Sequence, residues 1–286
     1  MRKWTVALTC AWLMFAAAGA AAESPVKVMS FNIRYDNPGD KENNWQFRRD
    51  RAANAILFYA PDVVGTQEVL HNQLMDLEQR IGGVYAHVGV GREDGHKKGE
   101  YAALWYNRDR FDALDSGNFW LSETPEKMGS KSWDGACERI ATWAILRDRR
   151  SNSELLVMNT HLDHVGTIAR RLGSELLLHR ADSLAAGRPI IITGDFNSEP
   201  SSEVVVQLTS PEDARALTDS RAAAPLVYGP AWTFHDFGRL DFKDRELIDY
   251  VFVRGLDVES FGVMAETDEN QFLSDHAPVI ANLKVR

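Results

Sequence analysis

An α/β fold is predicted from three features of this sequence. Short strand-like apolar runs alternate with segments of helical period, in two rough halves. No Gly/Ser linker, low-complexity tract or long charge block interrupts residues 23–286, so one large domain is expected. Many of the strand-like runs lead into an acidic, amide or imidazole residue, which places polar side chains where strands leave a sheet and can share a pocket. Two sheets with helices on their outer faces fit this pattern.

The elements follow in order. Residues 1–22 are set aside as a cleavable signal peptide: Arg2 and Lys3 are basic, Trp4 to Ala18 is apolar, and Ala20-Ala21-Ala22 offers a small-residue cleavage site. The apolar stretch is short for a membrane anchor, so a periplasmic or secreted product with no transmembrane segment after processing is expected. Val26 to Phe31 reads as a strand leading to Asn32. Arg51 to Tyr59 reads as a helix with Ala52, Ala53, Ile56 and Leu57 at helical spacing, stopped by Pro61. Val63 and Val64 lead to Glu68, and Leu70, Leu74, Leu77 and Ile81 form one helix stripe.

Tyr101 to Tyr106, Ile140 to Leu146 and Leu155 to Asn159 read as strands, the last delivering His161. A long helix is predicted from Thr167 to Ala186, with Ile168, Leu172, Leu176, Leu177, Ala181 and Leu184 facing inward and Gly187 as its cap. Pro189 to Thr193 is a strand leading to Asp195, and Ser201-Ser202-Glu203 opens another helix. Leu247 to Val253 and Val279 to Leu283 complete the strands.

Charge limits the partners. The formal net charge is −9, and removing the two basic residues Arg2 and Lys3 leaves −11. Such a chain has no global field to attract a long polyanion. Arg48, Arg49 and Arg51, Lys97 and Lys98, and Arg170 and Arg171 are local basic groups, either facing the pocket or lying on solvated helix faces. Only Cys137 survives processing, so core packing rather than an internal disulfide must hold the domain together.

The polar residues at the strand ends form a coherent set. Oxygen donors suit a hard divalent cation, and histidines handle protons and phosphate charge, as phosphoester hydrolysis requires. Glu68 ends a buried Val-Val-Gly run, where a carboxylate is costly unless a cation compensates it; stabilisation at the start of the following helix is the alternative. Asp195 follows Ile190-Ile191-Ile192 in Gly194-Asp195-Phe196-Asn197, a segment that ordinary turn chemistry also favours. Ser274-Asp275-His276-Ala277-Pro278 is the most specific string. Asp249, in Ile248-Asp249-Tyr250, is assigned to orient His276, fixing its tautomer and raising its basicity. Asn159, His164, Arg139, Arg170, Trp232 and His235 are secondary candidates for substrate contact. Trp232-Thr233-Phe234-His235 forms either an aromatic wall or part of the core. No Cys/His zinc spacing, P-loop or Gly-x-Ser-x-Gly elbow is present.

The order and wording of these motifs resemble the endonuclease/exonuclease/phosphatase superfamily, the deoxyribonuclease I-like metallohydrolases. The resemblance covers nearly all of the mature chain and points to a secreted bacterial branch near the deadenylase-like exonucleases. It implies a four-layer α/β/β/α sandwich, two mixed sheets packed face to face. It makes Glu68 the principal Mg²⁺ ligand, with Asn32 beside it, Asp275 completing or orienting the set, and Mn²⁺ as a substitute ion. It makes Asp195 the group that orients or deprotonates the attacking water and Asn197 a donor to phosphoryl oxygens, and it pairs Glu100 with His161. The expected function is phosphoester hydrolysis by water attack without a covalent enzyme intermediate, by a monomer. A 3′–5′ exonuclease on short nucleic acid and a phosphatase or phosphodiesterase on a phosphosugar or lipid headgroup are the candidates. A non-catalytic binding module is the alternative of a different class; it predicts a missing ligand, water activator or histidine, and none is missing.

Overall fold

The computed structural model describes Met1 and residues 25–265, 267–268 and 271–286. Apart from Met1, the predicted signal peptide lies outside the described residues. The first half holds β1 (Val26–Asn32), α1 (Trp45–Tyr59), β2 (Val63–Val69), α2 (His71–Ile81), β3 (Tyr85–Val88), β4 (Tyr101–Asn107) and β5 (Phe111–Trp120). Next come β6 (Ile140–Asp148), β7 (Glu154–His161), α3 (Thr167–Ala185), β8 (Ile190–Asp195) and α4 (Glu203–Thr209). Short pieces follow: β9 (Thr218–Asp219), α5 (Ser220–Ala223) and β10 (Val227–Tyr228). The chain closes with β11 (Asp249–Arg254), β12 (Leu256–Val263), β13 (Thr267–Asp268), β14 (Gln271–Phe272) and β15 (Val279–Val285). No helix among the described residues is long and apolar enough to cross a membrane.

Among the described residues, one mixed sheet runs β10-β12-β15-β1-β2-β4-β3 and the other β5-β6-β7-β8-β11-β9. Three buried clusters show the layering. Met29 and Phe31 pack with Ala52 and Ile56 of α1 and Leu74 and Leu77 of α2. Val28, Val63 and Leu104 meet Val157, Ile191 and Val251 across the sandwich. Leu156, Ile190, Ile192 and Phe252 pack with Leu177, Leu178 and Ala181 of α3 and Val205 of α4. The fold is therefore the expected α/β/β/α sandwich.

Side-chain alternation sets the interior. Along β7 the inward row reads Leu155, Val157, Asn159, His161; along β8 it reads Ile191, Thr193, Asp195; along β11, from its far end, Val253, Val251, Asp249. Each row passes from apolar packing to a polar or reactive end. His161 pairs with Asp195 in the parallel β7–β8 ladder, and Asp195 with Asp249 in the antiparallel β8–β11 ladder. Three chemically active side chains are thus neighbours by register alone.

The structure corrects several details of the sequence reading. The first helix begins at Trp45, capped by Asn44, and Arg48 is buried with Nη1 donating to the Ile33 and Leu273 carbonyls at 2.8 Å. Leu57 faces outward. In α3 the buried face is Ala169, Gly173, Ser174, Leu177, Leu178, Ala181 and Ala185, one position on from much of the predicted stripe, and Ile168 is exposed. Leucines at many successive positions let either face be chosen; the small residues Ala169, Gly173 and Ala181 allow the close approach to the sheet. Ala186, not Gly187, takes the left-handed C-cap. The sequence reading lacks the strands β3, β5 and β12: β3 is four residues long, and exposed or charged stretches in β5 and β12 obscure the period-two signal.

Candidate active site

At one end of the sandwich the two sheets contribute to an open pocket of about 380 Å³. Asn32 ends β1, and its Nδ2 donates to Glu68 Oε1 at 3.0 Å and Asp195 Oδ2 at 2.9 Å. Its Oδ1 accepts from Arg34 N, so Asn32 joins the two carboxylates through its amide nitrogen. Glu68 reaches the pocket by a local irregularity. The β2–β4 register shifts between Thr66 and Val69, and Glu68 holds φ of 61°. Regular alternation turns Gln67 inward; the bulge re-aims Glu68.

Asp195 lies between two histidines, 3.4 Å from His161 Nε2 and 3.7 Å from His276 Nε2. His276 Nδ1 is 2.8 Å from Asp249 Oδ2, the predicted orienting contact. Burial works against charge on His276, but Asp249, its hydrogen bond, Asp195 and Asp275 prevail and hold its pKa well above the ordinary range. His161 goes the other way: burial, then Arg139 and Arg92, hold its pKa well below that range. Asn197 Nδ2 lies 3.0 Å from His161 Nε2 and donates to the Leu162 carbonyl at 3.0 Å. Burial, then Asp249, pushes the Asp195 carboxyl up to about 7. Environment thus separates a charged imidazole, a neutral one and a carboxylate poised near neutrality.

Glu68, Asp195 and His276 each offer a ligand atom within 4.8 Å of the others. Asp275 is buried and its pKa raised, first by burial and then, against the pull of His276, by Glu68. Arg34 Nη1 stands 3.6 Å from Asp275 and 3.9 Å from Glu68 while its Nε is held by Asp40. The cluster of Glu68, Asp195 and Asp275 carboxylates fits a hard divalent cation.

Other predicted residues are placed differently. Glu100 lines the pocket, but both its oxygens are taken by Arg92 at 2.7 and 2.8 Å, and His161 Nδ1 is 3.9 Å away, beyond hydrogen-bond distance. Arg139 and His164 line the pocket and contact each other at 2.9 Å. Arg139 Nε and Nη1 are buried without a hydrogen-bond partner. Asn159 is no substrate contact: it is wholly buried and bonds Thr66, Ala103 and Gln67 across the sandwich and Thr193 on the neighbouring strand. Arg170 donates to the Asp163 carbonyl and lies outside the pocket. Trp232 stacks with Arg245, and His235 is buried, accepting from Gly238 N; neither lines the pocket.

The structure adds Arg34, Tyr35, Arg92, Phe234, Asp236, Glu246 and Ile248 to the lining. Of these, Phe234 and Ile248 lay within motifs singled out from the sequence, and for Phe234 alternation along Trp232–His235 was the available signal. Cys137, Asp163 and His164 also come together. Asp163 already accepts from the Ala136, Val165 and Gly166 amides, and Arg139 stands against His164, so this trio holds its loop.

A four-layer sandwich whose two sheets converge on such a pocket has the architecture of the phosphoester hydrolases. The chain belongs to the endonuclease/exonuclease/phosphatase family, whose model matches residues 29–276. An endonuclease/exonuclease/phosphatase from Bacteroides vulgatus is similar with a TM-score of 0.89 and 42% identity, covering 92% of this chain and 100% of that one. The mannosyl-6-phosphatase of Bacteroides thetaiotaomicron VPI-5482 gives 0.82 and 32%, covering 90% and 99%. Nocturnin of Mus musculus is 26% identical over 67% of this chain and 47% of that protein. The chain spans about half the length of the curated relatives it matches.

Proposed function

We propose that this protein is a Mg²⁺-dependent hydrolase of small phosphoesters, driving in-line attack of water on phosphorus. The observation that carries this reading is Asp195, whose Oδ2 lies 3.4 Å from His161 Nε2 and 3.7 Å from His276 Nε2 beside Glu68. A carboxylate so placed can align a water and take its proton as it attacks. His276, charged by Asp249, faces the developing negative charge of the phosphoryl group. Glu68, with Asp195 beside it, would hold Mg²⁺ or Mn²⁺, which when bound neutralises phosphoryl charge and polarises the leaving oxygen.

Two facts favour a small substrate. The net charge of −9 supplies no field for a long polyanion. The mannosyl-6-phosphatase is 32% identical to this chain, whereas Nocturnin of Mus musculus is 26% identical. With Mg²⁺ present, phosphate release should be measured on phosphosugars, mononucleotide release on single-stranded RNA and DNA, and phosphoalcohol release on phospholipids. Turnover of a small phosphoester, abolished by EDTA, is expected. Nucleic-acid degradation without small-phosphoester turnover would overturn this reading in favour of a 3′–5′ exonuclease.

A further inference from the structure

The pocket has a wall that the chemistry above does not use. Residues 232–236 are sewn between two parts of the site. Thr233 N and Phe234 N donate to the Glu246 carbonyl at 2.7 and 2.9 Å, His235 N donates to the Asp275 carbonyl at 3.0 Å, and Ala277 N donates to the Thr233 carbonyl at 2.7 Å. Thr233 and His235 are buried while Phe234 turns to the pocket, and Asp236, which opens a short 3-10 turn with φ of 49°, lines it too. The Phe234 ring centroid lies 5.0 Å from that of His276, beside the reacting centre.

The charges on this wall are one-sided. Glu246 lines the pocket exposed, and no hydrogen bond or ion pair among the described residues engages its carboxylate. Asp236 shares one oxygen with Arg239 at 2.8 Å and keeps the other. The arginines lining the pocket, Arg34, Arg92 and Arg139, each stand against a carboxylate elsewhere: Asp40, Glu100 and Asp163. A group beside Phe234 therefore meets hydrogen-bond acceptors and an aromatic face. Hydroxyls satisfy the acceptors, C–H bonds suit the ring, and a second phosphate would be repelled.

We infer that Phe234, Asp236 and Glu246 read the alcohol part of the substrate, and that this part is an uncharged polyol such as a hexose. This deepens the small-phosphoester reading and rests on it. The test is Mg²⁺-dependent kinetics on hexose 6-phosphate, hexose 1,6-bisphosphate and an aryl phosphate that lacks hydroxyls. Glu246→Gln and Asp236→Asn should each lower kcat/KM for hexose 6-phosphate at least tenfold more than for the aryl phosphate, mainly through KM. Glu246→Gln should also raise the bisphosphate-to-monophosphate ratio, which a merely structural role would leave unmoved. Equal losses on hexose and aryl substrates would overturn the inference, as would wild-type turnover of aryl phosphate with none of hexose 6-phosphate. Inactivity on every phosphoester would instead sink the hydrolase reading. Calorimetric titration of hexose 6-phosphate then decides the polyol contact: tenfold weaker binding by Glu246→Gln supports it, and unchanged binding overturns it.

Discussion

Replacing Asn159 by alanine separates a structural strut from a substrate contact. Its Nδ2 donates to the Thr66 and Ala103 carbonyls at 2.8 and 2.9 Å, and its Oδ1 accepts from Gln67 Nε2 at 2.7 Å and Thr193 Oγ1 at 3.0 Å. Buried neutral hydrogen bonds are worth about 1 kcal/mol each, so losing the set costs ~4 kcal/mol. Two partners keep another bond, Gln67 to Ser30 and Thr193 to the Met158 carbonyl, which reduces the loss. The polar void left behind returns a comparable cost. For a chain of this size ~4 kcal/mol lowers Tm by roughly 8–16 °C. Thermal melts measure that shift, and KM is read well below the melting range. A Tm shift under about 2 °C together with a tenfold rise in KM would refute the strut and return Asn159 to the substrate pocket.

Three further outcomes are expected. Glu68→Gln removes the charge that would hold the metal while keeping the side chain's shape, so turnover at ordinary Mg²⁺ should vanish with the circular dichroism unchanged; activity that survives EDTA would end the metal reading. Asp249→Asn should slow kcat about a hundredfold by removing a buried charge-assisted hydrogen bond, with the Asp249→Asn/His276→Ala double variant scarcely slower than His276→Ala alone; additive losses would show that the two act independently. His235 is pushed down from 6.5 to about 3 by burial, with His276 and Arg245 adding to it, so the folded state keeps it neutral while the unfolded chain protonates it. Its contribution is whole above the unfolded pKa and is lost as pH falls toward the folded one, about 2 kcal/mol between pH 7 and 5. Urea melts at both pH values should show a drop smaller by that amount in His235→Gln, and an identical drop would exclude His235 as the source.

Period-two alternation is a property of sequence, and it determined much of this site. Once Leu155–Val157 and Ile191 are read as buried, His161 and Asp195 must share their face, and Asp249 follows from the same rule in β11. The Asp249–His276 contact was legible because a carboxylate and an imidazole each stood at the end of an apolar run. What the alternation rule cannot supply, tertiary structure decided. Parity alone turns Glu68 away from the interior, and only the bulge against β4 brings it to the pocket. Parity also put Asn159 on the right face but gave no depth, and it is the opposite sheet, through Thr66, Gln67 and Ala103, that claims it below the pocket floor. Close approach there requires Gly65, since a Cβ at that position would sit 2.0 Å from Thr193 Oγ1 and 2.5 Å from Asn159 Oδ1. The pocket arginines Arg34, Arg92 and Arg139 and the wall residues Asp236 and Glu246 come from segments between the strands with no periodic signal. Local pattern fixes the face a side chain takes, while its partners and depth depend on the packing of segments distant in the chain.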